Sequence, residues 1–388
     1  MQIDLESINM GGNPHEKFLD SIRDAETRRK YRSYLRQFLN EIPDNVYGIV
    51  SGTVARSEEG QARQFVLVAK KDSNLAHAVI SQYIKMQKKR VEAGSLSPNT
   101  LPNLVKPIHA LLDSNGVALH WRSLYKMYPR PTKTEDRGYA RKEIQAMMNV
   151  GHDLTDKVIL TVFSSAGFRV EAWDYLCWKD VTFFRNEDGT FRGAALLIYR
   201  GDPERYHTFI TPEACQYLDK YREKWKGDIG RYPAPNDPLL RVTTQITIKQ
   251  LNAKGVKARV TNLAREAGLR PKLSAGRRRH TVPIDHGFRK YFNTMMRRAK
   301  VNYLDKEDMM GHTTGLEKHY ERYNEEDFER FPEYQKAIPF LTVSDEERVK
   351  IENRKLKKNT SSDYEHRLAS MEKQLKLLHA IIQETQKT

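Results

Sequence analysis

The chain has 388 residues, enough to bury the cores of two or three domains. Its 66 lysine and arginine residues outnumber 50 acidic ones, and the formal net charge of +16 favours a polyanionic partner such as nucleic acid. The two cysteines are far apart and form no CxxC motif, which excludes a disulfide framework and a cysteine-rich zinc site and favours a reducing cytoplasm. The polar, acidic start of the chain is not expected to be a signal peptide, and no run approaches the ~18 apolar residues of a membrane span.

The N-terminal third predicts an all-helical domain over 14–127, after an extension over 1–13. Apolar residues recur at helical spacing over 14–42 and 75–93, in a segment that opens at Ser97-Pro98, and near 119–127. The first two helices carry basic faces, which are either solvated or bind a DNA backbone. The residues assigned to DNA contact are Arg28, Arg29, Arg32, Lys88, Lys89 and Arg90.

A linker is predicted over 128–138, where YPRPTKTEDRG has two prolines and no periodicity. A second domain follows over 139–342. It begins with helices from residue 141 and over 153–162, a turn over 164–167 and a helix opened by Arg169. Strands over 193–200 and 205–211 flank the turn GDPE and form a hairpin, and helices start at Pro212 and near 260. Residues 236–255 are ambiguous. The predicted fold class is mainly α with a small β-hairpin or sheet (α+β).

Polar residues of one chemical kind cluster between 277 and 323. Arg277, Arg278 and Arg279 lie in a predicted basic loop and either bind phosphates or are solvated. His286 and Arg289 are three residues apart on a predicted helix, so that both side chains lie on one face. Gly311-His312 follows, and then Tyr320 and Tyr323 on another predicted helix. Arginine binds phosphate oxygens, histidine donates hydrogen bonds or protons, and tyrosine can act as a nucleophile, so the set indicates phosphate chemistry.

The C-terminal segment over 343–388 predicts a separable helical tail. Ser362 and Glu365 form a capping box. A short heptad seam follows it, made by Tyr364, Leu368, Met371, Leu375, Leu378 and Ile382. The seam packs either on its own domain or on a neighbouring subunit.

These motifs resemble one known family. Arg169 in SSAGFRVEAWDYLCWKDV, His286-Gly-Phe-Arg289, Gly311-His312 and the tyrosine after them are similar to the R…HxxR…GH…Y set of tyrosine recombinases, the phage-type integrases. The segments YHTFITPEA and MGHTTGLEKHYERY are most similar to the corresponding segments of integrases of archaeal mobile elements. The resemblance covers about residues 14–342. It implies a core-binding DNA domain before the linker and a catalytic domain after it.

The resemblance assigns a role to each matching residue. Arg169 and Arg289 would clamp the scissile phosphate, and His286 and His312 would bind its non-bridging oxygens, with one of them aiding proton transfer. Tyr320 would attack phosphorus and leave a 3′-phosphotyrosyl link with a free 5′-hydroxyl. The family's proteins act on double-stranded DNA, assemble as tetramers on it and need no cofactor, metal or small-molecule substrate. A cytoplasmic, nucleoid-associated protein is implied.

Two positions depart from the family pattern. The hairpin has no lysine to protonate the leaving oxygen; Arg200 aligns best with that lysine and Arg205 second. Because an arginine gives up a proton poorly, the acid is His286, water or a lysine from elsewhere in the chain. The common spacing after Gly311-His312 would place the nucleophile on Glu321, one residue beyond Tyr320. Tyr320 is therefore the predicted nucleophile and Tyr323 the alternative.

Two other functions are compatible with these features. One is a non-catalytic DNA-binding protein on a recombinase scaffold, which the retention of the site's other polar residues disfavours. The other is a type IB topoisomerase, which shares the chemistry but needs no partner site. A separate basic helical domain and a heptad tail favour a recombinase that assembles.

Overall fold

The computed structural model describes residues 12–132, 136–244, 247–273, 279–312 and 328–354, together with 356, 368 and 371. The chain divides into two units, 1–134 and 135–388. The division falls inside the segment 128–138 that the sequence assigns to a linker. No helix in these ranges is long and apolar enough to cross a membrane.

Every regular element described in the first unit is a helix. Its core contains an aromatic cluster in which the ring of Phe38 meets those of Phe65 and Tyr83 edge-on, at 5.1 and 5.0 Å between centroids. A short 3-10 turn, Pro98–Thr100, precedes α6. The helices are α1 (Pro14–Asp20), α2 (Ala25–Asn40), α3 (Asp44–Tyr47), α4 (Glu58–Lys71), α5 (Ser73–Glu92), α6 (Leu101–Ser114) and α7 (Trp121–Tyr125).

The prediction of a single helix over 14–42 is wrong. Helix α1 ends at Asp20, and α2 begins after Asp24, which has an extended backbone and accepts a hydrogen bond from the Thr27 amide at 2.6 Å. An aspartate that caps a helix in this way satisfies an amide that the first turn leaves without a partner, so it starts a new helix. Helix α4 was not predicted.

The second unit combines helices with one small sheet. The strands β1 (Val181–Arg185), β2 (Phe191–Ile198) and β3 (Tyr206–Ile210) pair antiparallel in the order β1-β2-β3. The predicted hairpin is therefore confirmed, with Ala194 opposite Ile210, and β1 adds a strand that was not predicted. The helices are α8 (Arg141–Val150), α9 (Leu154–Ala166), α10 (Pro212–Ile229), α11 (Ala253–Glu266), α12 (His286–Arg298), α13 (Tyr303–Met309) and α14 (Phe331–Leu341). The predicted fold class, mainly α with a small sheet, is confirmed.

The close approach of α9 and α12 organises the second unit. Helix α9 is buried over most of its length and ends at Gly167, whose φ of +63° is left-handed. A Cβ at Gly167 would lie 2.4 Å from the ring of Phe292 on α12, so only glycine allows both this conformation and this contact. Helix α9 continues through part of the predicted turn, and Arg169 caps a 3-10 helix, Val170–Asp174, rather than an α-helix.

Several predictions concern residues outside the described ranges. These are the helix after His312 with Tyr320 and Tyr323, the arginines Arg277 and Arg278, and most of the heptad seam. Residues 345–354 are helical. Leu368 and Met371 of the seam are helical and exposed.

Candidate active site

The guanidinium of Arg289 is the centre of the candidate site. Arg289 lies on α12 and is only 8% exposed. Its Nη1 donates to the carbonyl of Gly167 at 2.8 Å, and its Nη2 donates to the carbonyl of Met310 at 2.5 Å. These bonds fix the side chain between the end of α9 and the end of α13. The guanidinium therefore has little freedom to move when a ligand arrives.

A second arginine places its charge beside the first. Burial lowers the pKa of Arg289, and the positive charge of Arg169 acts in the same direction. Arg169 is half-buried and lies two residues after Gly167. Among the described residues, neither arginine forms an ion pair with a carboxylate. Two neighbouring cations without a counter-ion are costly in a folded protein, and an anionic ligand would remove that cost.

His312 completes the group and has a defined tautomer. Its Nε2 lies 2.7 Å from Nη2 of Arg289, and its Nδ1 lies 2.5 Å from Oε2 of Glu307. A guanidinium can only donate, so Nε2 accepts and the proton is on Nδ1, where it donates to the carboxylate. The imidazole in this arrangement is therefore neutral, and its Nε2 lone pair faces the arginine.

The ammonium group of Lys306 helps to keep Glu307 ionised. Burial acts to raise the pKa of Glu307, but hydrogen bonds from Lys306 and His312 outweigh it, and the pKa lies below the ordinary 4.5. Nζ of Lys306 lies 2.6 Å from Oε1 of Glu307 and donates to Oδ1 of Asn293 at 2.8 Å. This chain of contacts links the orientation of His312 to helices α12 and α13. Sequence analysis missed Glu307, because nothing in the sequence marks an acid five residues before a histidine.

Tyr206 forms a wall of the site that was also not predicted. Gly311 has a φ of +64°, and a Cβ there would lie 2.3 Å from the Tyr206 ring. Burial raises the pKa of Tyr206 to about 12. Its buried hydroxyl lies beside Arg289 and has no hydrogen bond of good geometry to the described residues. The glycine of the Gly311-His312 motif is thus needed for contact with this ring as well as for its backbone conformation.

His286 lies at the start of α12, one helical turn before Arg289, and is exposed. The spacing predicted both residues on one face of one helix, and the structure has both on α12. Gly287 between them is buried against Tyr139 and Val282, with ideal Cβ distances of 2.6 and 2.8 Å. The start of the helix is therefore fixed while the imidazole is open to solvent.

Arg200, predicted to act at the leaving oxygen, forms an ion pair with a buried aspartate. It follows β2 after Tyr199, and its Nε donates to Oδ1 of Asp180 at 2.5 Å. Its Nη2 donates to the carbonyl of Lys179 at 3.3 Å. The Asp180 side chain is only 2% exposed, so the ion pair compensates a buried carboxylate. These contacts favour a structural role for Arg200 and leave its role in the chemistry untested.

Comparisons with known proteins concern the fold. No protein-family model matches the sequence, and a comparison with curated proteins finds no match. Among solved structures, the chain is similar to a lambda integrase dimer bound to a COC′ core site, with 11% identity and a TM-score of 0.49 over 81% of this chain and 96% of that one. It is also similar to XerA recombinase, with 14% identity and a TM-score of 0.36 over 82% and 95%. A third is the Tn1549 transposon integrase in complex with circular intermediate DNA, with 14% identity and a TM-score of 0.43 over 77% and 97%. Similarities of this size say nothing about activity.

The predicted basic faces of the first unit differ in how far their charge is neutralised. On α2, Arg29 donates two hydrogen bonds to Glu26, at 2.7 and 2.9 Å. Arg32 donates to Glu58 at 3.1 Å. Arg28 donates to the carbonyl of Ile22. On α5, by contrast, the predicted contact residues are exposed, and the described residues show no ion pair for them; they are Lys88, Lys89 and Arg90.

The chemistry available to the site is that of anion binding with proton transfer. Two guanidinium groups and an imidazole can surround a phosphate, and the exposed His286 can donate to it. Across the described residues, no group of three or more His, Cys, Asp or Glu side chains could hold a metal ion.

Proposed function

We propose that the chain is a site-specific DNA recombinase that cuts and rejoins duplex DNA through a 3′-phosphotyrosyl intermediate. The observation that carries this proposal is the buried Arg289, which lies beside Arg169 and His312 with no carboxylate partner among the described residues. A phosphodiester supplies the missing negative charge. The resemblance of the motifs to those of tyrosine recombinases supplies the reaction.

In the proposed reaction, the Tyr320 oxygen forms a bond to phosphorus while the bond from phosphorus to the 5′-oxygen breaks. Arg169 and Arg289 stabilise the charge that builds on the non-bridging oxygens. Because Arg289 is already held by two backbone carbonyls, its donors need no reorganisation as that charge develops. The products are a phosphotyrosyl ester and a free 5′-hydroxyl. A 5′-hydroxyl of another strand reverses the step and joins new ends.

Two protons move in each cleavage step. His312 is neutral, and its Nε2 lone pair becomes available when a phosphate takes over the N–H of Arg289, so this nitrogen receives the proton of the tyrosine hydroxyl. The proton for the leaving 5′-oxygen comes from the exposed His286 or from water. Arg200 contributes by holding Asp180 rather than as a proton donor.

The biological setting follows from the same proposal. The helical domain over 14–127 and the catalytic domain over 139–342 bind double-stranded DNA at an attachment site, and four protomers assemble into a synapse. The tail beyond residue 354 packs on a neighbouring protomer, whereas its first residues belong to their own domain, where the amides of Val343 and Ser344 donate to Glu213 at 2.7 and 3.0 Å. Integration or excision of a mobile element, of the kind carried by archaea, is the role that the motifs favour. Such a protein acts on nucleoid DNA in the cytoplasm.

The proposal is tested by trapping the covalent intermediate. A pool of duplexes with a randomised centre and one nick is incubated with the full chain in EDTA and without ATP, and adducts that resist SDS are collected and sequenced. We expect the protein to be joined to the 3′ end of the broken strand. The released 5′ ends should be labelled by polynucleotide kinase without phosphatase treatment, because they carry hydroxyl groups.

The variants Tyr320→Phe and Tyr323→Phe form a matched pair three residues apart. Loss of the adduct in Tyr320→Phe alone, with DNA binding retained, is expected. Loss in Tyr323→Phe alone would move the nucleophile to that residue. A wild-type chain that binds duplex DNA but yields no adduct from the pool would contradict the proposal and favour a non-catalytic DNA-binding protein.

A further inference from the structure

A second cationic pocket lies in the C-terminal unit, away from the contacts of Arg289. It is a cavity of about 280 Å³ between the segment before α8, the chain that follows α11 and residues 279–282. Tyr139 forms part of its wall. The charged and polar side chains that line it are Arg137, Glu143, Arg270, Lys272, Arg279 and His280.

The charges around this cavity do not balance. Among the described residues that line it, Glu143 is the one acid, and both of its oxygens are bound by Arg137, at 2.6 and 2.7 Å. The pocket is lined by four cationic side chains and this one carboxylate, so its net charge is three positive charges when His280 is neutral. Partial burial lowers the pKa of His280, and the charge of Arg270 acts in the same direction. The pocket therefore disfavours a further positive charge.

The guanidinium of Arg270 has unused donors inside this region. Its Nε and Nη2 are buried and have no hydrogen-bond partner among the described residues. Buried donors without acceptors destabilise a folded protein, so such groups in a native protein call for an explanation. An arginine with two free N–H groups on one edge matches the paired oxygens of a phosphate.

We propose that this pocket binds a phosphate group, held by Arg270 with the support of Lys272 and Arg279. The group is separate from the one at the candidate active site, because the hydrogen-bond partners of Arg289 are Gly167, Met310 and His312, none of which lines this pocket. The phosphate belongs either to the backbone of bound DNA or to a free phosphate compound. The DNA source rests on the proposed function, whereas binding of a free phosphate does not.

The pocket is connected to the candidate active site through its wall. The Tyr139 ring packs against Gly287, and the amide of Tyr139 donates to the carbonyl of Gly287 at 3.2 Å. Gly287 follows His286 directly. A phosphate in the pocket thus fixes the chain that carries this histidine. If the phosphate is part of DNA, the pocket binds a backbone phosphate close to the phosphate that reacts.

The first experiment uses inorganic phosphate and no DNA. Thermal unfolding of the full chain is followed in phosphate and in sodium chloride at equal ionic strength. The test variant is Arg270→Gln, and its control is Arg265→Gln, an exposed arginine on α11 that removes the same charge. We expect a saturable rise in Tm for the wild type and Arg265→Gln that is smaller in Arg270→Gln, where the candidate active site is the phosphate site that remains. If Arg270→Gln does not fold, Arg279→Gln, an exposed position in the same pocket, should show a reduced rise.

The second experiment identifies the source of the phosphate. Affinity for a duplex of unrelated sequence is measured against salt concentration. If the pocket holds a DNA phosphate, the slope of log affinity against log salt should be shallower by about 0.9 in Arg270→Gln and unchanged in Arg265→Gln. A normal slope together with the Tm difference would assign the pocket to a free phosphate compound. Equal Tm rises and equal slopes in both variants would overturn the proposal. Because neither measurement requires cleavage, a chain that forms no covalent adduct can still pass both.

Discussion

Substitution of Gly311 by alanine should disrupt the candidate site through two separable costs. An alanine at a φ of +64° is in the left-handed region, which costs about 1–2 kcal/mol. The added Cβ would also lie 2.3 Å from the buried ring of Tyr206, closer than any real contact, so that the ring or residues 310–312 must shift. Overpacking of a core costs about 1–3 kcal/mol. We therefore expect a loss of about 2–5 kcal/mol in the free energy of unfolding.

Gly230→Ala is the matched control for the backbone cost. Gly230 ends α10 with a φ of +83°, and nothing lies within 4 Å of its ideal Cβ. Its substitution should therefore cost only about 1–2 kcal/mol. Both variants are measured by urea denaturation, with equal m-values required before the free energies are compared. The same loss in both variants would refute the contact between Gly311 and Tyr206.

A double-mutant cycle isolates that contact. In a Tyr206→Ala background the ring is gone, so Gly311→Ala should cost only the backbone term, and the coupling between the two positions should be about 1–3 kcal/mol. The shift of residues 310–312 also moves His312 away from Arg289. Gly311→Ala should then lose the covalent adduct with DNA by more than its stability explains, as measured at a temperature where it is fully folded.

The remaining predictions concern single contacts. Because the pKa of Glu307 is lowered, its carboxylate stabilises the fold above pH ~4.5, and this is lost as the pH falls further; in urea unfolding, Glu307→Gln should be less stable than the wild type at pH 7, by a margin that shrinks toward pH 3.5. Arg169→Ala should lose about 3–4 kcal/mol of transition-state stabilisation in adduct formation with little change in DNA binding, and near-normal cleavage would remove it from the site. Arg200→Ala should lose about 1–3 kcal/mol of stability because it leaves a buried carboxylate less compensated, and it should slow cleavage of ordinary and 5′-phosphorothiolate substrates equally; selective rescue by the thiolate would restore its role at the leaving oxygen. In salt titrations of DNA binding, Lys89→Gln should make the slope shallower and Arg29→Gln should not, because Glu26 already neutralises the latter.

Sequence patterns predicted those elements whose signal is local. The helix over His286–Arg298 was found from its apolar spacing and the hairpin from alternation and a turn. The break before α2 was missed because the capping role of Asp24 depends on the backbone around it, and the same apolar period continues on both sides. Strand β1 was missed because it pairs with β2 across a bulge between Phe184 and Arg185 and is only partly buried.

The residues of the candidate site also fall into two groups: those that a sequence pattern predicted and those that only the folded chain reveals. Arg169, Arg289 and His312 were found because their order in the chain matches a known pattern. Tyr206 and Glu307 were not, since their roles come from contacts that no pattern encodes: a ring under a glycine, and a carboxylate on the far nitrogen of an imidazole. Arg200 was assigned from its place at the end of a strand, but its buried partner Asp180 is 20 residues away and is visible only in the folded chain.

The candidate site is completed in a fixed order during synthesis, because the groups that contact Arg289 lie far apart along the chain. Gly167 leaves the ribosome 122 residues before Arg289, a delay of about 6–24 seconds at about 5–20 residues per second. The carbonyl of Met310 and the imidazole of His312 come later still. An unfinished chain therefore has the basic helices of the first unit but lacks the complete set of groups around Arg289. Under the proposed function, a polypeptide released too early would bind DNA without cutting it.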